Sequence, residues 1–132
     1  MRYINIMQSI GFIGIGLMGL PMAKNLLKSG YKLKVFNRSQ DKAERLKEFG
    51  AEISTSIKDA VANSDIVITM LTDDVAVEKV MSSEDFVKNI EPNATVIDMS
   101  SINPNLSKKY AEILKEKNIN YLDAPVSGGT IG

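Results

Sequence analysis

Short apolar runs alternate along this chain with longer stretches in which apolar residues recur every three or four positions. The short runs read as six strands: S-I-G-F-I-G at 9–14, K-L-K-V-F-N at 32–37, A-E-I-S at 51–54, D-I-V-I-T-M-L at 65–71, A-T-V-I-D-M at 94–99 and I-N-Y-L-D at 119–123. The stretches between them are helical patterns with identifiable ends. Met18, Met22 and Leu26 fall on one helix face, and Gly30 supplies a stop. Ser39 is placed to cap a helix carrying Ala43, Leu46 and Phe49, which Gly50 ends. Ser56 with Asp59 resembles a capping box, with aspartate in place of glutamate. Asp73 and Asp74 open V-A-V-E-K-V-M, and Asn103–Pro104 gives a cap and an N1 proline before N-L-S-K-K-Y-A-E-I-L-K-E-K.

Strictly alternating strands and helices predict an α/β fold, and the nearly continuous apolar run D-I-V-I-T-M-L predicts a strand covered on both faces. The expected architecture is a Rossmann doubly wound parallel sheet of about six strands, in the order 3-2-1-4-5-6, with helices on both faces. A crevice is expected above the carboxyl ends of strands one and four. No linker, repeat or low-complexity tract interrupts the pattern, so residues 9–132 read as one domain after a short extension at 1–8.

The glycines at 11, 14, 16 and 19 do not fit ordinary helix or strand, where each would cost roughly 0.5–1 kcal/mol relative to alanine. Gly14-Ile15-Gly16-Leu17-Met18-Gly19 is a G-x-G-x-x-G that follows the first strand and opens the first helix, the context this motif needs. Its first glycine allows a tight turn, its second lets a pyrophosphate approach the backbone, and its third lets helix and strand pack closely. Free N–H groups and the positive end of the helix dipole then face the phosphates. The absence of G-K-[ST] disfavours a nucleoside-triphosphate loop.

At the end of the second strand, where NAD-binding sheets usually carry Asp or Glu for the ribose hydroxyl, stand Asn37, Arg38 and Ser39. Arg38 would pair with a 2′-phosphate that an acid would repel, and Asn37 and Ser39 could donate further hydrogen bonds. The expected cofactor is therefore NADP rather than NAD.

Composition narrows the chemistry. The 132 residues contain no cysteine and no histidine, which excludes disulfides, thiolate chemistry and serine–histidine triads. No metal site is expected. Net charge is zero, but residues 1–50 carry nine basic and three acidic residues against seven and thirteen in 51–132. The positive excess around the glycine loop would draw an anionic ligand. No aromatic residues interleave with the basic ones, so nucleic acid is not an expected partner. The start M-R-Y-I-N-I-M-Q-S-I lacks a signal-peptide core, and no apolar run approaches the ~20 residues of a membrane span, so a cytoplasmic protein is expected.

The extended motif G-x-G-x-M-G-x-P-M-A-x-N-L, followed by N-R-S, D-M-S-S-I and D-A-P-V-S-G-G, resembles the β-hydroxyacid dehydrogenase family, which includes 3-hydroxyisobutyrate dehydrogenase and, as a relative, 6-phosphogluconate dehydrogenase. The four motifs occur in order across Ile10–Gly129. The resemblance implies that Gly14, Gly16, Leu17, Met18 and Gly19 hold the dinucleotide phosphates, and that Asn37, Arg38 and Ser39 hold the 2′-phosphate. It puts Leu71 and Thr72 by the nicotinamide half, Ser101 by the nicotinamide ribose, and Ser127, Gly128 and Gly129 on the substrate carboxylate. It also implies reversible hydride transfer between NADP(H) and a small β-hydroxyacid or its semialdehyde. The family's general acid/base is a lysine on a helix beyond S-G-G. No catalytic residue is therefore expected within these 132 residues, which read as a cofactor-binding domain without the helical catalytic domain. Apolar surface on the fourth helix and near 119–126 would then be uncovered, and a homo-oligomer is expected. Two other classes stay open: a non-catalytic dinucleotide-binding module, against which D-A-P-V-S-G-G counts, and an S-adenosylmethionine methyltransferase, against which N-R-S counts.

Overall fold

The computed structural model describes residues 8–16, 18–100 and 102–124. Its strands are β1 (Ser9–Ile13), β2 (Lys32–Phe36), β3 (Glu52–Ile53), β4 (Ile66–Thr69), β5 (Thr95–Asp98) and β6 (Asn120–Asp123). Its helices are α1 (Gly19–Lys28), α2 (Gln40–Glu44), α3 (Ile57–Val61), α4 (Asp74–Met81), α5 (Glu84–Val87) and α6 (Pro104–Lys115). All strand pairs are parallel, and the sheet runs β3-β2-β1-β4-β5-β6. The expected α/β class and strand order are both found.

The two-residue period of β1 divides the core. Ile10 and Phe12 face one side with Ala23 of α1, Leu33, Val35 and Leu46. Ile13 faces the other with Val61 of α3, Val77 of α4, Phe86 of α5 and Leu114 of α6. Gly11 shares that second face, where a Cβ would collide with the Ala60 carbonyl oxygen, so α3 lies directly on the strand. Register follows the same logic: Phe12 sits between Val35 and Ile68, and Ile68 between Phe12 and Ile97.

Four helix starts carry side-chain caps. Ser56, Asp73, Ser83 and Asn103 accept backbone N–H bonds at the starts of α3, α4, α5 and α6, and Pro104 opens α6. Three local expectations need correction. The helix expected from Ser39 to Phe49 stops at Glu44 and continues as a 3-10 turn over Lys47–Phe49. Ala43, Leu46 and Phe49 are spaced by three, which is the 3-10 period, and each successive N–H bonds the carbonyl three residues back. Ser39 occupies the N-cap position of α2, but its hydroxyl makes no cap bond. Met18 does not share the buried face of Met22 and Leu26; it lies at the N-cap of α1 and is exposed, while Gly19 and Ala23 are the buried positions. Helix α5, opened by Ser83, was not anticipated.

Candidate functional site

The carboxyl ends of β1, β2 and β4 open into a cleft of about 380 Å³, within the range of small-molecule sites. The glycine turn forms its floor. Gly14 has φ +106°, and a Cβ there would run into the Met70 carbonyl oxygen, so the turn needs glycine both for conformation and for space. Gly19 is buried with its Cα side against the Gly14 carbonyl, which brings α1 onto the end of β1. Gly16 is different. Its backbone is outside the left-handed region, and an added Cβ would meet no atom of the described residues within 4 Å. Nothing in the described protein requires glycine at that position.

Beside it, α1 begins without a side-chain cap and with no acid in its first turn, whereas α3 to α6 are all capped and α3, α4 and α5 also carry an acid there. This N-terminus is left open to an anion. Asn37, at the end of β2, braces the turn: its side-chain oxygen accepts the Ile15 N–H at 2.7 Å, and its amide donates to the Ser39 carbonyl at 2.9 Å. Arg38 and Ser39 follow on the cleft wall, joined by Lys42 from α2 and Lys79 from α4. No carboxylate lines the cleft among the described residues. The two ion pairs found among those residues, Lys88–Glu84 and Lys109–Glu78, lie elsewhere and leave Arg38 unengaged.

On the far side of β1, Leu71 and Thr72 form the wall beyond β4. The Leu71 N–H donates to the Ser100 hydroxyl at 2.7 Å. Behind it lies fully buried Asp98, whose Oδ1 accepts from the Thr69 hydroxyl at 2.8 Å and from the Ser100 N–H at 3.1 Å. Burial raises the Asp98 pKa above the ordinary carboxylate value; hydrogen bonds from Ser100 and Thr69 counter it, and the nearby Asp123 charge adds to it. Tyr121, which donates to Asp98 Oδ2 at 3.5 Å and lies 3.3 Å from the Ser107 hydroxyl, is pushed up to about 12, chiefly by burial.

Of the residues proposed from sequence, Gly14, Gly16, Asn37, Arg38, Ser39, Leu71 and Thr72 come together around the cleft. Met18 and Gly19 do not line it. Leu17, Ser101, Ser127, Gly128 and Gly129 lie outside the described residues. Lys42, Lys79, Asp98 and Ser100 were missed. Lys42 had a readable signal, a basic residue one helical turn past N-R-S; the Asp98 pairing depends on strand adjacency and had none. No helix among the described residues is long and apolar enough to cross a membrane.

Comparison with known proteins agrees with this geometry. An NAD-dependent L-serine dehydrogenase of Pseudomonas aeruginosa is 42% identical over 127 residues, covering 96% of this chain and 43% of that protein. A solved 3-hydroxyisobutyrate dehydrogenase of Mycobacterium tuberculosis with L-serine superposes with a TM-score of 0.86 at 32% identity, over 93% of this chain and 42% of the other. An imine reductase of Myxococcus stipitatus in complex with NADP+ gives a TM-score of 0.80 at 26% identity, over 86% and 39%. The chain thus spans less than half the length of these relatives. The family described as the NAD binding domain of 6-phosphogluconate dehydrogenase matches residues 9–132, and this chain belongs to it.

Proposed function

We propose that this chain is the cofactor-binding domain of an oxidoreductase that transfers hydride between NADP(H) and a small β-hydroxyacid or its semialdehyde. The observation that carries the dinucleotide reading is the open space over Gly16 beside the uncapped start of α1. A pyrophosphate fits there, on backbone N–H groups and at the positive end of the helix. The preference for NADP rests on Arg38, with Ser39 and Lys42 beside it and no carboxylate on the cleft wall among the described residues. One relative is named NAD-dependent and one structural neighbour holds NADP+, so the preference stands on these side chains.

When bound, the nicotinamide supplies the hydride chemistry, and the protein's part is to hold and orient it. On this reading Leu17, Met18 and Gly19 belong to the phosphate turn, and Leu71, Thr72 and Ser101 to the nicotinamide side. Ser127, Gly128 and Gly129 hold the substrate carboxylate. The hydroxyacid class follows from relatives named for L-serine and 3-hydroxyisobutyrate. The chain as given is expected to bind cofactor without turnover, which an absorbance assay with small semialdehydes checks. Exposed Leu122 on edge strand β6 supports self-association, which sedimentation would detect. Calorimetry of the chain with NADPH and NADH is the direct test. Tighter NADPH binding is expected; equal affinities remove the NADP assignment, and no binding of either removes the dinucleotide reading.

A further inference from the structure

The β4–β5 end of the cleft holds a carboxylate that touches no part of the cleft surface. Asp98 is fully buried, yet its Oδ1 gathers the Thr69 hydroxyl from β4 and the Ser100 N–H from the segment after β5. The hydroxyl of the same Ser100 accepts the Leu71 N–H at 2.7 Å. Ser100 therefore links the two, held to Asp98 by its N–H and to the backbone of Leu71, where the cleft wall begins, by its hydroxyl. Thr69 and Asp98 are register partners, so the bond between them also fixes the relative height of the two strand ends.

We propose that Asp98 is a positioning residue for the cofactor: acting through Ser100, it fixes the Leu71–Thr72 wall against which the second half of the dinucleotide lies. This rests on the dinucleotide reading above. In a doubly wound sheet the two mononucleotide halves straddle the switch point at β1. With the adenosine half at Arg38 beyond β2, the other half meets the wall beyond β4. An apolar residue at 98 would leave the Thr69 hydroxyl and the Ser100 N–H without their acceptor and free Ser100 to turn away from Leu71. Asparagine keeps an oxygen at Oδ1 for both donors.

The test compares ligands that do and do not reach this wall. Asp98→Ala, Asp98→Asn and Ser100→Ala are titrated with NADPH, followed by calorimetry and nicotinamide fluorescence, and with adenosine 2′,5′-bisphosphate, which carries only the adenosine half. Loss of one held backbone group predicts about three- to tenfold weaker NADPH binding by both alanine variants. Bisphosphate affinity should stay within about twofold, and Asp98→Asn should retain NADPH binding and its fluorescence, because its side-chain oxygen still accepts from Thr69 and Ser100. Equal weakening of both ligands, or no weakening of either, overturns the proposal and leaves Asp98 a structural residue. If Asp98→Ala does not fold, Ser100→Ala decides by the same comparison. A wild-type chain that binds neither ligand removes the dinucleotide reading itself, and this proposal with it.

Discussion

Replacing Gly16 by valine separates the needs of the fold from those of a ligand. The site offers open space, with no atom of the described residues within 4 Å of an added Cβ, and its backbone lies outside the left-handed region that favours glycine. The variant should therefore fold normally, with a stability change within about 0.5–1 kcal/mol of wild type, partly offset by a less flexible unfolded chain. For a domain of this size that is a shift of only about 2–5 °C in Tm. Binding should respond very differently. The branched side chain occupies the volume a pyrophosphate would take, and forcing it aside costs about 1–3 kcal/mol, as in an overpacked interior. At 1.4 kcal/mol per decade this is roughly five- to 150-fold in dinucleotide affinity. Gly14→Val is the control: positive φ and the Met70 carbonyl make it destabilising before any ligand is added. Thermal melts and calorimetry on the same samples give both numbers. A Gly16→Val chain that binds NADPH as wild type does, or that melts as low as Gly14→Val, would refute the reasoning.

Arg38→Ala should weaken NADPH binding by about tenfold to a hundredfold, from the loss of one charge-assisted pair, and leave NADH nearly unchanged in parallel calorimetric titrations. The NADPH preference should also shrink as salt rises, because Arg38 is exposed. For Asp98, a folded pKa raised above 3.8 means that its contribution to stability is present below that value and lost as pH rises through the folded pKa. Melting temperatures of Asp98→Asn relative to wild type should therefore move in the variant's favour from acid pH toward neutrality; a constant difference would contradict the raised pKa. Tyr110 is buried in the second-face core, and its hydroxyl has no hydrogen-bond partner among the described residues. Tyr110→Phe should be neutral or stabilising by up to about 1–3 kcal/mol, since it removes an unsatisfied polar group, and a lowered Tm would contradict this.

The β/α alternation and the glycine spacing after β1 made the sheet order and the position of the cleft legible, because together they specify a doubly wound sheet whose order and switch point are fixed by its topology. Ile10 and Phe12 against Gly11 and Ile13 already encode two covered faces. The 3-10 turn was misread because Ala43, Leu46 and Phe49 satisfy both a three- and a nearly four-residue repeat; only the hydrogen bonds choose between them. At the site, Arg38 and Ser39 were readable from their place after β2. The brace from Asn37 to Ile15 was not, since it spans 22 residues and depends on how the turn folds back. The Asp98–Thr69 bond, 29 residues apart in sequence, becomes visible only once β4 and β5 are side by side.

Among the described residues, strand β1 joins the two halves of the sheet, pairing with β2 on one edge and with β4 on the other. The β4 partner of Ile10 is Ile66, so this seam joins segments separated in sequence by β2, β3 and helices α1 to α3, whereas β1 meets β2 through the short α1 crossover. The Met70 amide bonds Ile13 at the last rung of the seam, directly beneath the cleft. Sub-global opening that parts β4 from β1 therefore tears the ligand site in two. A molecule bridging Asn37–Ser39 and Leu71–Thr72 acts as a staple across the seam, and native-state hydrogen exchange at Met70 should slow in proportion to its occupancy.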